Sequence, residues 1–306
     1  MALKLARYKT NRHKTISMWG SFHGASLDAI SIGGDSMFRK DVGPLLPGTE
    51  HIPPPTRGKC HFNCVDQEHT GCIDYLKYIL EREGDIAAII AEPMRWATAE
   101  LPPQNYWKRV REICDQLDVL LIFDEIPSAM GRTGKMFVCE HFDVVPDMLV
   151  IGKGLGGSIF PMAALIAREE LDILNNRALG HYTHEKSSVG CAAALATIDC
   201  LYEDNLIENA VALGKHAMSR LLEMQKRLPL IHQVRGLGLF LGIELRRENK
   251  PANDEADTVL YHSLSRGLSF KVGGGCVLTL CPPMTITLDE LNKALDIIEE
   301  GITSIS

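Results

Sequence analysis

Short apolar runs alternate with helical spacing through the first half of the chain. Ile86–Ala91 (IAAIIA), Val119–Phe123 (VLLIF), Met148–Ile151 (MLVI) and Met162–Ala167 (MAALIA) are unbroken runs of strand length, and Lys14–Met18 (KTISM) is a weaker, alternating one. Continuous apolarity predicts strands buried on both faces. Between the first two runs, Tyr106–Gln116 carries Val110 and Ile113, followed by Leu117, at the spacing of one helical face. Strand, helix and strand in this rhythm predict an α/β fold with a largely parallel sheet covered by helices.

From about Val189 the texture changes. Cys191–Leu201 reads as a small-residue helix and Leu206–Arg227 as a long amphipathic one. Val234–Leu245 reads as glycine-punctuated strands, Val277–Leu280 as a short strand closed by Pro282-Pro283, and Leu288–Ile302 as a final acidic helix. The expected organisation is a large domain over residues 1–188 and a smaller C-terminal α+β domain over 189–306.

The chain has 306 residues, 45% of them hydrophobic and 23% charged, with a formal net charge of −7. This composition argues against disorder, and the acidic balance against a nucleic-acid partner. No apolar run approaches the roughly 20 residues of a membrane span. Met1–Lys9 is basic but lacks a long apolar stretch, which argues against a secretory signal. Nine cysteines, an odd number, fit free thiols in a reducing compartment, so the expectation is a cytoplasmic protein. Cys60, His61, Cys64, His69 and Cys72 could supply a tetrahedral zinc set, but the compact spacing also reads as a cysteine-rich loop, and no metal is expected.

Three polar features follow apolar runs, where open α/β sheets place their ligands. They are Asp124-Glu125, Lys153 within Gly152-Lys153-Gly154-Leu155-Gly156-Gly157, and Phe22-His23-Gly24. Taken singly these read as a helix cap, a surface charge on a turn and a core aromatic. The glycine run is not a phosphate-binding P-loop, because Lys153 precedes most of its glycines. Taken together they suit an aldehyde cofactor: a lysine to form a Schiff base, a carboxylate to keep a pyridine nitrogen protonated, and an aromatic to stack. Asp124 and Ile126, two apart on an extended segment, would share one face, with Ile126 under the ring.

The stretch Ala88–Glu169 resembles the class-III pyridoxal-phosphate aminotransferases of fold type I. The matches are Ile90-Ala-Glu-Pro93, Leu121-Ile-Phe-Asp-Glu-Ile126, Gly131-Arg-Thr-Gly-Lys-Met136 and Pro146-Asp-Met-Leu-Val-Ile-Gly-Lys-Gly-Leu-Gly-Gly157. Ser21-Phe-His-Gly24, Tyr182-Thr-His184, Val234-Arg-Gly-Leu-Gly238 and Pro282-Pro-Met-Thr-Ile-Thr287 extend it along the chain in family order. The resemblance implies pyridoxal 5'-phosphate as cofactor, Lys153 as its Schiff-base lysine and proton carrier, and Asp124 at the pyridine nitrogen. It also implies Phe22 stacked on the ring with His23 beside it, and a homodimer in which Thr183 reaches the neighbouring subunit's cofactor phosphate.

The sequence departs from the family pattern in four places. The family's Gly-Ser phosphate turn would lie just before Met1, so a truncated form or a late start is expected. Pro127 stands where a glutamine is usual. Thr279 and Ala97 stand where relatives carry a carboxylate-binding arginine and the glutamate that pairs with it. Loss of both halves is one coherent change, since losing one would strand a charge. Arg95 and Trp96 then become candidates for substrate anion recognition, against the plain alternative of a surface arginine and a packing tryptophan. The expected activity is amino-group transfer between an amine or amino acid and a keto acid or aldehyde. The alternatives are an ammonia- or phospho-lyase acting on amino-alcohol phosphates or hydroxy-aminophosphonates, and an inactive truncated form.

Overall fold

A computed structural model of the chain describes residues 1–56, 61–62, 64, 70–176 and 178–305. The chain forms two compact units. The first comprises Met1–Pro93, Pro102–Pro127 and Val138–Thr197, and the second Met94–Leu101, Ser128–Phe137 and Ile198–Ser306. Packing therefore puts the changeover at Thr197/Ile198, inside a helix, where the sequence pattern put it at 188/189.

The first unit contains helix α1 (Ala2–Thr10), strand β1 (Lys14–Met18), short helices α2 (Leu27–Ile32) and α3 (Ser36–Arg39), and strand β2 (Thr49–Ile52). Helix α4 (Thr70–Glu83), β3 (Ile86–Ala91), α5 (Tyr106–Gln116), β4 (Leu120–Asp124), β5 (Met148–Ile151), β6 (Ala164–Ala167) and the start of α6 (Ser188–Glu203) follow. The six strands lie in the order β2-β1-β3-β4-β5-β6. β2 to β5 run parallel, and only β6 is antiparallel, pairing Ile151 with Ala164. Every residue of β3 is buried, as its unbroken apolar run requires of a strand covered twice. One cover is α1, whose Leu5 and Ala6 join the core of Ala88, Ile90 and Ile122. α5 buries Tyr106, Trp107, Val110, Ile113 and Cys114, and the Trp107 ring meets Phe123 of β4 edge-on at 4.8 Å. The indole N–H donates to the Pro93 carbonyl at 3.0 Å, which fixes the exit from β3.

The second unit has a sheet in the order β10-β11-β8-β7. Its strands are β7 (Ile231–Leu237), β8 (Phe240–Arg247), β9 (Lys250–Pro251, beside β8), β10 (Lys271–Gly273) and β11 (Val277–Leu280), and all pairings are antiparallel. Helices α7 (Leu206–Arg227), α8 (Asn253–Ser265) and α9 (Leu288–Thr303) accompany it. Leu213, Ala217 and Leu221 of α7, Ile243 and Leu245 of β8, and Leu291, Leu295 and Ile298 of α9 share one core. α9 starts with a reciprocal capping box between Thr287 and Glu290, which satisfies amides the first helical turn would leave open.

Candidate active site

The parallel strands of the first unit end together and deliver polar groups to one edge. β3 ends into Glu92-Pro93, β4 ends at Asp124, β5 runs into Gly152-Lys153, and β1 leads to Phe22-His23. Register places Asp124 opposite Val150, so Lys153 follows β5 just past the end of β4.

Asp124 is buried. Its Oδ2 lies 2.8 Å from His23 Nδ1, with both side chains almost fully enclosed. The other ring nitrogen, His23 Nε2, is buried without a hydrogen-bond partner. Asp124 Oδ1 accepts the Ile126 N–H at 3.2 Å, which turns the chain immediately after β4. The expectation that Asp124 and Ile126 share a face of an extended segment is therefore corrected, because the carboxylate bonds its own backbone two residues on and ends the strand there. Ile126 remains at the site by another route: its Cγ1 sits 3.5 Å from where a Cβ on Gly152 would be.

Lys153 is exposed and takes a left-handed backbone, φ 47°. A non-glycine residue held there is costly, and such residues concentrate at functional sites. Phe22 packs against Phe38, ring centroids 4.3 Å apart and tilted 42°, and its N–H donates to Glu92 Oε1 at 3.3 Å. Glu125, fully buried, accepts the amides of Val138 and Cys139 at 2.6 and 2.8 Å. Burial pushes its pKa up to about 7 against the pull of those two amides. The structure thus joins His23, Asp124 and Ile126, with Phe22 alongside through Glu92. Glu92, Phe38 and the bracing role of Glu125 were not singled out from sequence. The only signals were the Glu-Pro pair and the acidic doublet.

Thr183 is exposed. Its neighbour Tyr182 takes a hydrogen bond from Lys4 Nζ at 3.5 Å, beside α1. Arg95 and Trp96 belong to the second unit. The Arg95 amide donates to the Glu100 carbonyl at 2.8 Å, and Lys271 Nζ sits 3.6 Å from the Trp96 ring centroid, an ammonium on the ring's negative face. The Thr279 hydroxyl donates to the Ala97 carbonyl at 3.0 Å, so the two positions marked as a missing ion pair do adjoin. Arg235 Nε secures the same segment through the Thr98 carbonyl at 2.8 Å. Among the described residues no group of three or more His, Cys, Asp or Glu converges as a metal site. Cys60 and His69 lie outside the described residues, and the Cys64 and Cys72 sulfurs are 3.9 Å apart.

The mostly parallel sheet of the first unit and the separate antiparallel sheet of the second have the fold of pyridoxal-phosphate transaminases. An amine transaminase from an uncultivated Pseudomonas species, solved in its PLP-bound form, superposes with a TM-score of 0.92 at 27% identity over 100% of this chain and 74% of that one. A Bacillus anthracis aminotransferase superposes at 0.91 with 28% identity over 99% and 73%. The chain belongs to the class-III aminotransferase family, whose profile matches residues 1–302, and is an enzyme of that class. It is 46% identical over 323 residues to the (R)-1-hydroxy-2-aminoethylphosphonate ammonia-lyase of Vibrio splendidus, covering all of this chain and 67% of that protein. It is 38% identical over 318 residues to a leucine/methionine racemase of Thermococcus litoralis, covering 99% of this chain and 70% of that protein.

Proposed function

We propose that the chain uses pyridoxal 5'-phosphate to move an amino group between an amine or amino acid and a keto acid or aldehyde. When bound, the cofactor supplies an aldehyde that condenses with amines and a ring that accepts electrons from the substrate carbon. The arrangement at the ends of β4 and β5 carries this reading. Asp124 would hold a proton on the ring nitrogen, and His23, through its 2.8 Å contact, orients that carboxylate. Ile126 and Phe22 would flank the ring. Lys153 would receive the aldehyde, then take a proton from the substrate carbon and return it. The buried, unpartnered His23 Nε2 supports the fit, since this chain's own residues leave the pocket polar and incompletely satisfied.

A second reading, elimination of ammonia or phosphate from a hydroxy-aminophosphonate or amino-alcohol phosphate, is favoured by the Thr279–Ala97 hydrogen bond. At that position this chain carries a neutral hydroxyl engaged by a backbone carbonyl in place of the arginine of relatives. The 46% identical lyase supports the same reading. Arg95 and Trp96 would serve anion recognition in either case. We also read the chain as a cytoplasmic homodimer with Thr183 reaching the neighbouring cofactor phosphate. Val189 and Leu195 of α6 are 64% and 62% exposed on an apolar helix, a surface suited to a second copy. The described cysteines are all free thiols, as a reducing compartment keeps them. No described helix is long and apolar enough to cross a membrane.

The test is the chain supplied with cofactor and a panel of amines, with aminated cofactor and released ammonia measured separately. Lys153→Ala is expected to lose both the visible absorbance of bound cofactor and all turnover, and Asp124→Asn to keep the fold but lose most turnover. Undiminished activity in Lys153→Ala ends the reading.

A further inference from the structure

The carboxylate next to Asp124 in sequence holds a different part of the chain. Asp124 meets His23, whereas Glu125 binds residues 138 and 139. The Glu125 N–H donates to the Val150 carbonyl of β5 at 2.9 Å, which ties the end of β4 to the strand that leads into Gly152-Lys153. Its side chain reaches a third segment: Oε2 accepts the Val138 N–H at 2.6 Å and Oε1 the Cys139 N–H at 2.8 Å. Those two residues are where the first unit resumes after a detour, since the chain leaves that unit after Pro127 and re-enters it at Val138. Glu125 therefore ties the departing chain to the returning one.

Asp124 is the last residue of β4 and lies opposite Val150, where the pairing of β4 with β5 ends. Its Oδ1 accepts the Ile126 N–H, a bond within its own turn. Glu125 supplies anchors to two neighbouring segments directly after it, one from the main chain and one from the side chain. Glu125 and Val138 are fully buried and Cys139 nearly so. Water is not at hand to replace the carboxylate, so its loss leaves two buried amides unmade and favours a shift of the chain that recovers them. A binding group needs its place held to about 0.5 Å. The far end of the same strand has its own brace: Asp147 accepts the Leu121 N–H at 2.7 Å and donates its own N–H to the Leu121 carbonyl at 2.9 Å. Two buried carboxylates thus hold β4, one at each end, and Glu125 is the one that adjoins Asp124.

We propose that Glu125 is a positioning residue for Asp124: by tying the end of β4 to Val150 and to residues 138–139, it sets where the Asp124 carboxylate stands and so how firmly the cofactor's ring nitrogen is held. The proposal rests on the reading of the chain as a pyridoxal-phosphate enzyme and deepens it. Glu125 touches neither cofactor nor substrate in this assignment, and its effect passes through Asp124.

The test is titration of the full chain with pyridoxal 5'-phosphate after dialysis, followed by visible absorbance and visible circular dichroism. An achiral cofactor shows such dichroism only when held in an asymmetric site. Glu125→Ala is expected to weaken cofactor affinity by roughly tenfold or more, the scale on which partners behind a metal ligand act, and to lose most of the visible dichroism. Glu125→Gln keeps the side chain's length and one acceptor, so it is expected to fall between wild type and Glu125→Ala, and it decides the matter where Glu125→Ala does not fold. Asp147→Ala removes the brace at the far end of β4 and is expected to melt at a lower temperature yet keep the wild-type dissociation constant and dichroism. Wild-type affinity and dichroism in the Glu125 variants overturn the proposal. An equal loss in Asp147→Ala overturns it too, because a loss that follows stability alone is not positioning. A wild type with no visible band from bound cofactor overturns the functional reading beneath it, a result distinct from failure at Glu125.

Discussion

Glu125 is fully buried, and its two oxygens accept the Val138 and Cys139 amides. Burial raises its pKa from an ordinary 4.5 to about 7. The native protein therefore holds this proton about 3 kcal/mol more tightly than the unfolded chain does. Below pH 4.5 the group is protonated in both states and its contribution is constant. Between pH 4.5 and 7 the unfolded chain has released the proton while the native one keeps it, so stability falls as pH rises, by at most about 1.4 kcal/mol per pH unit. Above 7 both states are ionised and the loss is complete. Glu125→Gln cannot ionise, so its stability lacks this slope, although its amide satisfies only one of the two N–H groups. Urea unfolding at pH 5.0, 6.0 and 7.5, followed by circular dichroism, should show wild type losing about 2–3 kcal/mol relative to Glu125→Gln across that range. Parallel profiles, or a wild type that gains on the variant as pH rises, would refute the reasoning.

Two other perturbations test how the units are held. Asp147 accepts Arg111 Nη1 at 2.6 Å and the Leu121 amide at 2.7 Å beneath the sheet. Asp147→Ala leaves the Leu121 amide unmade and, among the described residues, Arg111 with only its 2.8 Å pair to Asp115, and should cost about 2–3 kcal/mol by urea unfolding. Thr287→Ala removes the capping box of α9 and should cost about 1 kcal/mol, read as a lower melting temperature with the far-ultraviolet spectrum otherwise kept.

The strands most readable in sequence are those whose burial is symmetrical. β3 and β5 match their apolar runs residue for residue, and β4 is shifted by one because it ends on Asp124, a buried polar residue whose oxygens are engaged by His23 and the Ile126 amide. β6 starts two residues later than its apolar run. β2 (TEHI) and α8 were not anticipated, since an edge strand needs few apolar residues and α8 buries only Ala256, Val259 and Ser263. Met94–Leu101 and Ser128–Phe137 pack with the second unit although they interrupt the first in sequence. Composition does not mark such a detour, because it is set by contacts such as Arg235 with the Thr98 carbonyl.

The chemistry divides in the same way. Residue types and order, read with the resemblance to the class-III family, made Lys153, Asp124, Phe22 and His23 candidates, because an aldehyde-binding lysine and a ring-nitrogen carboxylate are demands of covalent chemistry that few side chains meet. Periodicity alone determined the parallel sheet and the helices that cover it, since a strand buried twice must be apolar throughout. Only the tertiary structure decided that His23 grips Asp124, that Asp124 turns the chain before Ile126, and that Lys153 sits in a left-handed backbone. These are properties of distance and burial between residues far apart in the chain, and local sequence pattern carries no term for them.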